Sequence, residues 1–275
     1  MLLTLAVSLA LQGTLPQVES VFQQIAPMPI AGKTAKTTNP AVVLIHGYYF
    51  HLLDRHVSKP AFRPWQRSDG ALVSELGKFA DVFVFAYGQN ASIDAIVTQS
   101  KLSREIAELR KRGYTEIVLV GHSAGGLIAR QFVEDNPDAG VSRVVQVCAP
   151  NGGSPLATLK VAKSQRVFLD CLSQEGRKES LNKRANKVIP AKVQFVCVVG
   201  RGDGTTSTDG VVPCVNQWTP DLQKQGIPAV GILSNHHQIV RDPDATAALA
   251  RIIRGTHTRW TAEQTATGRK VLFGE

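Results

Sequence analysis

A chain of 275 residues with 43% hydrophobic and 19% charged residues is long enough for one large α/β domain with a full core, and too apolar for disorder. The formal charge of +9 favours anionic neighbours such as acidic lipid head groups, but no zinc-finger spacing and no basic heptad supports nucleic-acid binding. No run of about 20 apolar residues is present to form a spanning helix.

Residues 2–11 resemble the apolar region of a secretory signal but lack a preceding Lys or Arg, so a cytoplasmic location is favoured and export stays open. Residues 1–40 are read as an N-terminal segment that ends in the loop Asn39-Pro40. Ala41–Ile45 is then a continuous apolar run suited to a strand buried on both faces, ending in His46-Gly47-Tyr48-Tyr49. Residues 50–69 are irregular, and 71–79 place Leu72, Val73, Leu76 and Phe79 at helical spacing. Asp81–Tyr87 reads as the next buried strand, and Ser92–Arg112 as one amphipathic helix stopped by Gly113.

A strand at 116–120 leads into Gly121-His122-Ser123-Ala124-Gly125-Gly126, and a helical pattern follows up to Asn136-Pro137. Strand, Gly-x-Ser-x-Gly turn and helix together make the context of a nucleophile elbow. The turn must be tight enough to expose the serine at its apex, so Gly121 and Gly125 remove side chains where the two backbones nearly touch. Val141–Val147 is another strand, which ends at Ala149-Pro150-Asn151-Gly152-Gly153-Ser154-Pro155. From Ser154 to Lys187 there are eight Lys or Arg against three Asp or Glu, in a segment that interrupts the alternation where a cap would lie. Strands at 193–199 and 229–233 resume the sheet. Asp242-Pro243 opens a helix that Gly255 closes, and the tail 256–275 is polar and poorly patterned. This alternation predicts a mostly parallel sheet with helices on both faces and ligands at the carboxyl ends of the strands.

A serine hydroxyl needs a base within hydrogen-bond reach and a third group to orient that base. Of the histidines after Ser123, His257 lies beyond the last clear helix, which leaves His236 and His237 in the loop after the strand at 229–233. His236 is preferred, because its spacing to Ile239 and Asp242-Pro243 suits a loop that turns straight into the helix; His237 is the alternative. For the acid, Asp209 is preferred because Asp209-Gly210-Val211-Val212-Pro213 leaves the glycine-rich loop into a new apolar segment. Asp203 is the alternative, with stabilisation of a turn as its plain reading. The oxyanion formed on attack needs preorganised donors, for which the backbone N–H groups of Tyr48 and Ala124 are candidates. His46 and His122 are read as structural neighbours. Of the four cysteines, Cys148 and Cys197 fall in strand patterns, while Cys171 and Cys214 lie in loop-like surroundings and are the candidate pair. No Cys-x-x-Cys and no His/Cys cluster points to a metal, and no cofactor is implied.

Five ordered motifs, Leu44-Ile45-His46-Gly47-Tyr48, Gly121 to Gly126, Ala149 to Pro155, Asp209 to Pro213, and His236 before Asp242-Pro243, resemble the α/β-hydrolase superfamily. The likeness is to the triacylglycerol lipase and esterase group, bacterial lipases and the inositol-deacylase-like branch. It implies an α/β-hydrolase domain over 41–255 with a small basic cap at about 154–190. By the resemblance Ser123 is the nucleophile, Asp209 the acid, His236 the base, and Tyr48 and Ala124 the oxyanion donors. It also implies a serine esterase acting through an acyl-enzyme on a small-molecule or lipid ester, with peripheral contact to an anionic membrane surface as a further expectation. The alternatives are an acyltransferase, amidase or phospholipid deacylase with the same triad, or a non-catalytic lipid- or protein-binding member of the fold. Some bacterial lipases carry calcium and a disulfide near the acid loop. Cys171 with Cys214 would match the disulfide, whereas no aspartate lies two residues after His236, so calcium is not carried over. The low apolar content of the basic segment argues against long-chain fat.

Overall fold

The computed structural model describes residues 17–27, 38–51, 56–205 and 207–274; the signal-like residues 2–11 lie outside them. Seven strands form one sheet in the order β1-β3-β2-β4-β5-β6-β7. They are β1 (Ser20–Ala26), β2 (Ala41–Ile45), β3 (Asp81–Tyr87), β4 (Ile117–His122), β5 (Arg143–Val147), β6 (Gln194–Gly200) and β7 (Ala229–Ile232). All neighbours run parallel except β1, which lies antiparallel on the edge beside β3, Ser20 opposite Tyr87.

β2, β3, β4 and β5 are buried along their whole length because both faces are covered, and β2 is apolar at every position. Val43 and Ile45 of β2 point into one layer, packed with α2 (Ile93–Gln99), α3 (Leu102–Lys111) and α4 (Ala124–Asp135). Val42 and Leu44 point into the other, with α1 (Ala71–Leu76) and α9 (Pro243–Arg254). Between β5 and β6 lie the short α5 (Arg166–Asp170) and α6 (Gln174–Lys183); α7 (Cys214–Gln217) and α8 (Pro220–Lys224) connect β6 to β7.

Two elements differ from expectation. The single helix over Ser92–Arg112 is two helices broken at Ser100, whose backbone is extended (ψ 178°). The break receives the chain entering β1: Val18 N–H donates to Gln99 O (3.2 Å) and Lys101 N–H to Ser20 Oγ (3.0 Å). The tail at 256–275 contains α10 (Ala262–Phe273), opened by a capping box between Thr261 and Gln264. Only Thr265, Gly268 and Leu272 of α10 are buried, so its hydrophobic pattern is faint; it packs where Trp260 meets Trp218 edge to face at 5.7 Å. Among the described residues no helix is long and apolar enough to cross a membrane.

Candidate active site

The carboxyl ends of β2, β4, β5, β6 and β7 converge on Ser123. Its backbone is held at φ 56°, ψ −128°, in the left-handed half of conformational space, and its N–H donates to Val147 O (2.8 Å). A non-glycine residue held there is strained and persists only when its surroundings fix it. Those surroundings are backbone: a Cβ on Gly121 would lie 2.3 Å from Gly125 O, and one on Gly125 would lie 2.2 Å from Ile45 O. A Cβ on Gly47 would meet the Ser123 Cβ at 2.4 Å, which brings the His46-Gly47-Tyr48 turn directly over the serine. Ala124 is the first residue of α4, where a helix leaves its N–H groups without intrahelical acceptors.

His236 is buried, and its Nδ1 lies 2.7 Å from Asp209 Oδ2. Asp209 is itself buried: burial pushes its carboxyl up, but the hydrogen bond and charge of His236 and the amides of Val212 and Val211 outweigh this and hold it below the usual range. An ionised carboxylate only accepts, so His236 donates from Nδ1, which in a neutral ring leaves the lone pair on Nε2. The other oxygen, Oδ1, accepts from Val211 N–H (2.8 Å) and Val212 N–H (2.7 Å). Gln217 braces the acid loop, donating to Asp209 Oδ2 (3.3 Å) and Val212 O (3.1 Å).

The two alternatives fall elsewhere. Asp203 is exposed and closes a local turn, accepting from Thr205 N–H (2.9 Å) and Thr205 Oγ1 (2.7 Å). His237 is exposed at the cavity rim, its ring 5.3 Å from and perpendicular to that of His236. Burial, then the neighbouring His236, lowers its pKa.

His122 and His46 support the site. The His122 Nε2 donates to His236 O (2.7 Å), so the elbow holds the loop that carries His236. Complete burial, followed by the proximity of His236, lowers the His122 pKa well below the usual value and keeps it neutral. His46 Nδ1 donates to Gly47 O (2.8 Å), its ring stacks on Tyr87 at 4.4 Å, and burial followed by Arg63 pushes its pKa down to about 3.

The cysteines are all free thiols, so Cys171 and Cys214 are not paired. Each donates to a carbonyl instead, Cys171 to Val167 O (3.3 Å) and Cys214 to Gly200 O (3.4 Å), in separate elements. Cys148 matters more to the site. Its Sγ, an Asp209 oxygen and a His236 ring nitrogen lie within 4.8 Å of one another, a grouping hidden in the sequence because the three residues sit on different strand ends. Burial, and then Asp209, pushes the Cys148 thiol well up. A protonated thiol beside a carboxylate already bonded to His236 fits a hydrogen-bonded cluster better than a cation cage, whose ligands must be deprotonated.

Ser123, His236 and His237 line a cavity of about 400 Å³ with Tyr48, Phe50 and a wall of leucines. Leu156, Leu159, Leu169 and Leu172 all come from the β5–β6 insertion. The basic composition of that segment therefore conceals an apolar inner face. Two of its cations are turned to the end of α4. Arg184 pairs with Glu134 (2.9 Å) and Asp135 (3.0 Å) at the end of α4, and Lys187 with Asp135 (3.1 Å). No local pattern marks Gln217, Cys148 or the buried amides Gln89 and Gln165, which make their contacts only through tertiary structure.

No family profile and no curated protein matches the chain by sequence. Solved structures do match in shape. The Bacillus licheniformis lipase BlEst2 in mature form superposes with a TM-score of 0.62 at 14% identity, covering 86% of this chain and 98% of that one. The metagenomic carboxyl esterase MGS0156 gives 0.56 at 18% identity, covering 79% and 76%. Phospholipase PlaB from Legionella pneumophila, in complex with thio-NAD, gives 0.61 at 16% identity, covering 84% and 62%. With the strand order above, these likenesses establish the α/β-hydrolase fold.

Proposed function

We propose that this chain is a serine carboxylic-ester hydrolase in which Ser123 is the nucleophile, His236 the general base and Asp209 its orienting acid. The observation that carries the reading is the 2.7 Å hydrogen bond from His236 Nδ1 to the buried Asp209, beside the strained serine and in the same cavity. His236 Nε2 takes the Ser123 proton as Oγ attacks the ester carbonyl, and the N–H groups of Tyr48 and Ala124 receive the developing oxyanion. Collapse expels the alcohol, which takes the proton back from His236 and leaves Ser123 acylated. Water activated by the same histidine then releases the acid. Asp209 stays ionised throughout and stabilises the imidazolium.

The apolar wall suits a hydrocarbon acyl or aryl group, and residues 154–190 act as the cap that supplies it. The fold neighbours named lipase, carboxyl esterase and phospholipase support an ester bond as the target. Exposed Leu156 and Leu159 beside Lys160 and Lys163 suit peripheral contact with an anionic lipid surface. The test is hydrolysis of a short-chain aryl ester by purified protein, with a competing alcohol present to reveal acyl transfer. Ser123→Ala is expected to lose at least about 10⁴-fold in kcat/KM; a variant with wild-type turnover overturns the reading.

A further inference from the structure

Two buried glutamines frame the proposed oxyanion donor, and one of them belongs to the β5–β6 insertion. Gln89, 1% exposed just past β3, donates from Nε2 to Gly47 O (2.9 Å) and accepts at Oε1 from Tyr49 N–H (3.1 Å). Its side chain thus bridges the residues on either side of Tyr48. Gln165, fully buried, donates from Nε2 to Gln89 Oε1 (3.0 Å) and Tyr49 O (2.5 Å), and accepts from His51 N–H (3.3 Å). Backbone partners fix both amide orientations: the atom facing Tyr49 N–H must be an oxygen, and the atoms facing Gly47 O and Tyr49 O must be nitrogens.

A trans peptide group is planar, with its C=O and N–H pointing in opposite directions. The Gly47 carbonyl is held by two donors, Gln89 Nε2 and His46 Nδ1. The N–H of the same peptide group, that of Tyr48, is thereby turned the other way and has no partner among the described residues. This turn packs against Ser123, since a Cβ on Gly47 would lie 2.9 Å from Ser123 Oγ. The insertion reaches the same loop a second time, where Phe168 stacks on the Tyr48 ring at 6.5 Å.

We propose that Gln89 and Gln165 are positioning residues, an amide clamp that aims the Tyr48 N–H at the reacting carbonyl and makes the oxyanion site depend on the seating of the β5–β6 insertion. This rests on the hydrolase reading above and adds to it a specific coupling between cap and catalytic centre. A misaimed donor weakens binding of the tetrahedral state while leaving ground-state binding of an ester in the leucine-walled cavity largely intact.

The test uses the full chain with Gln89→Leu, Gln165→Leu, the double variant and Ser123→Ala. Turnover of a short-chain aryl ester and inhibition by an alkylboronic acid, which forms a tetrahedral adduct on an active serine, are measured on variants whose circular dichroism matches the wild type. Each glutamine variant is expected to lose about 10- to 100-fold in kcat with KM within about threefold, less than the 10²–10³ for outright removal of an oxyanion donor. Boronate affinity should fall in parallel with kcat/KM. The double variant should be no more than about twofold worse than the weaker single, because both side chains act on one peptide group. A folded Gln89→Leu or Gln165→Leu protein with kcat within twofold of wild type, or a loss carried by KM alone, overturns the clamp. If Gln89→Leu does not fold, Gln165→Leu decides the matter alone. Turnover by Ser123→Ala would instead bring down the hydrolase reading, so the two failures are distinguishable.

Discussion

The two ends of α4 are built on opposite principles. At its start, Ser123 and Ala124 are placed by backbone that only glycine permits, Gly121 against Gly125 and Gly125 against Ile45, with neutral, buried His122 alongside. At its end, Glu134 and Asp135 are gripped by long cationic side chains. Arg130 bridges Glu134 (2.7 Å) and Asp221 (2.5 Å), and Arg184 arrives from the insertion. Arg177 sits buried beside them, donating from Nε to Asn151 O (3.2 Å) and forming no ion pair among the described residues, its pKa pushed down to about 10 by burial and by Arg130. Steric closure sets a reacting group to a fraction of an ångström, whereas ion pairs between flexible side chains anchor a segment while tolerating small shifts. The helix thus joins a rigid turn at the candidate active site to an electrostatic mooring for the insertion.

The largest expected effect breaks the first end. His236→Ala should lose about 10⁴-fold in kcat/KM for an aryl ester, while His237→Ala, which removes only a rim side chain, should lose less than about threefold. Steady-state kinetics on the two variants measures the contrast, and equal losses would mean that the Asp209 contact does not single out the base.

That contrast also marks what was legible in the sequence. β2 and β3 stand at the predicted residues because an uninterrupted apolar run between polar loops has one use in a covered parallel sheet. The elbow was visible for the same reason, its glycines being required locally by close approach. The break at Ser100 was hidden because a chain segment far away in sequence fills it, through Val18 and Ser20. α10 was hidden because it buries so few apolar residues. The leucine face of the insertion was masked by the basic composition around it, part of which, Arg184 and Lys187, is directed to α4. Long-range amide contacts such as Gln217 with Asp209 leave no local pattern at all.

A smaller effect breaks the second end. Glu134→Leu leaves Arg130 and Arg184 without their shared counter-charge, and removing one partner from a buried pair costs about 3 kcal/mol. Urea unfolding should show that loss, while kcat at a temperature where the variant stays folded should remain within twofold, because Gln165 is seated by Tyr49 and Gln89 and not by Arg184. A fall in kcat larger than the fall in folded fraction would show that the mooring reaches the chemistry.

The smallest effect sharpens the comparison by pH. His46, lowered to about 3, and His122 bind protons more weakly folded than unfolded, where the ordinary value is 6.5. Their contribution is complete above pH 6.5 and is lost as pH falls below it, by about 1.4 kcal/mol per pH unit for each histidine. Asp135 behaves differently. Burial raises its pKa, but hydrogen bonds from Arg184 and Lys187 lower it further, to below its ordinary 3.8, so its contribution persists until pH falls under that value. Between pH 6 and 4, then, the contribution of His46 and His122 is lost while the Asp135 contacts hold. His122→Gln should flatten the dependence of unfolding free energy on pH by one proton equivalent over that window; an unchanged slope would contradict the buried neutral state.

On the proposed reading Ser123 is an activated nucleophile. That reading is tested most directly by treating the native protein with a fluorophosphonate and mapping the adduct by peptide mass spectrometry. A single covalent adduct is expected on the peptide containing Ser123, abolished by heat denaturation and strongly slowed in His236→Ala. A folded wild-type protein that takes up no probe, or an adduct on another residue with Ser123 unmodified, would contradict it.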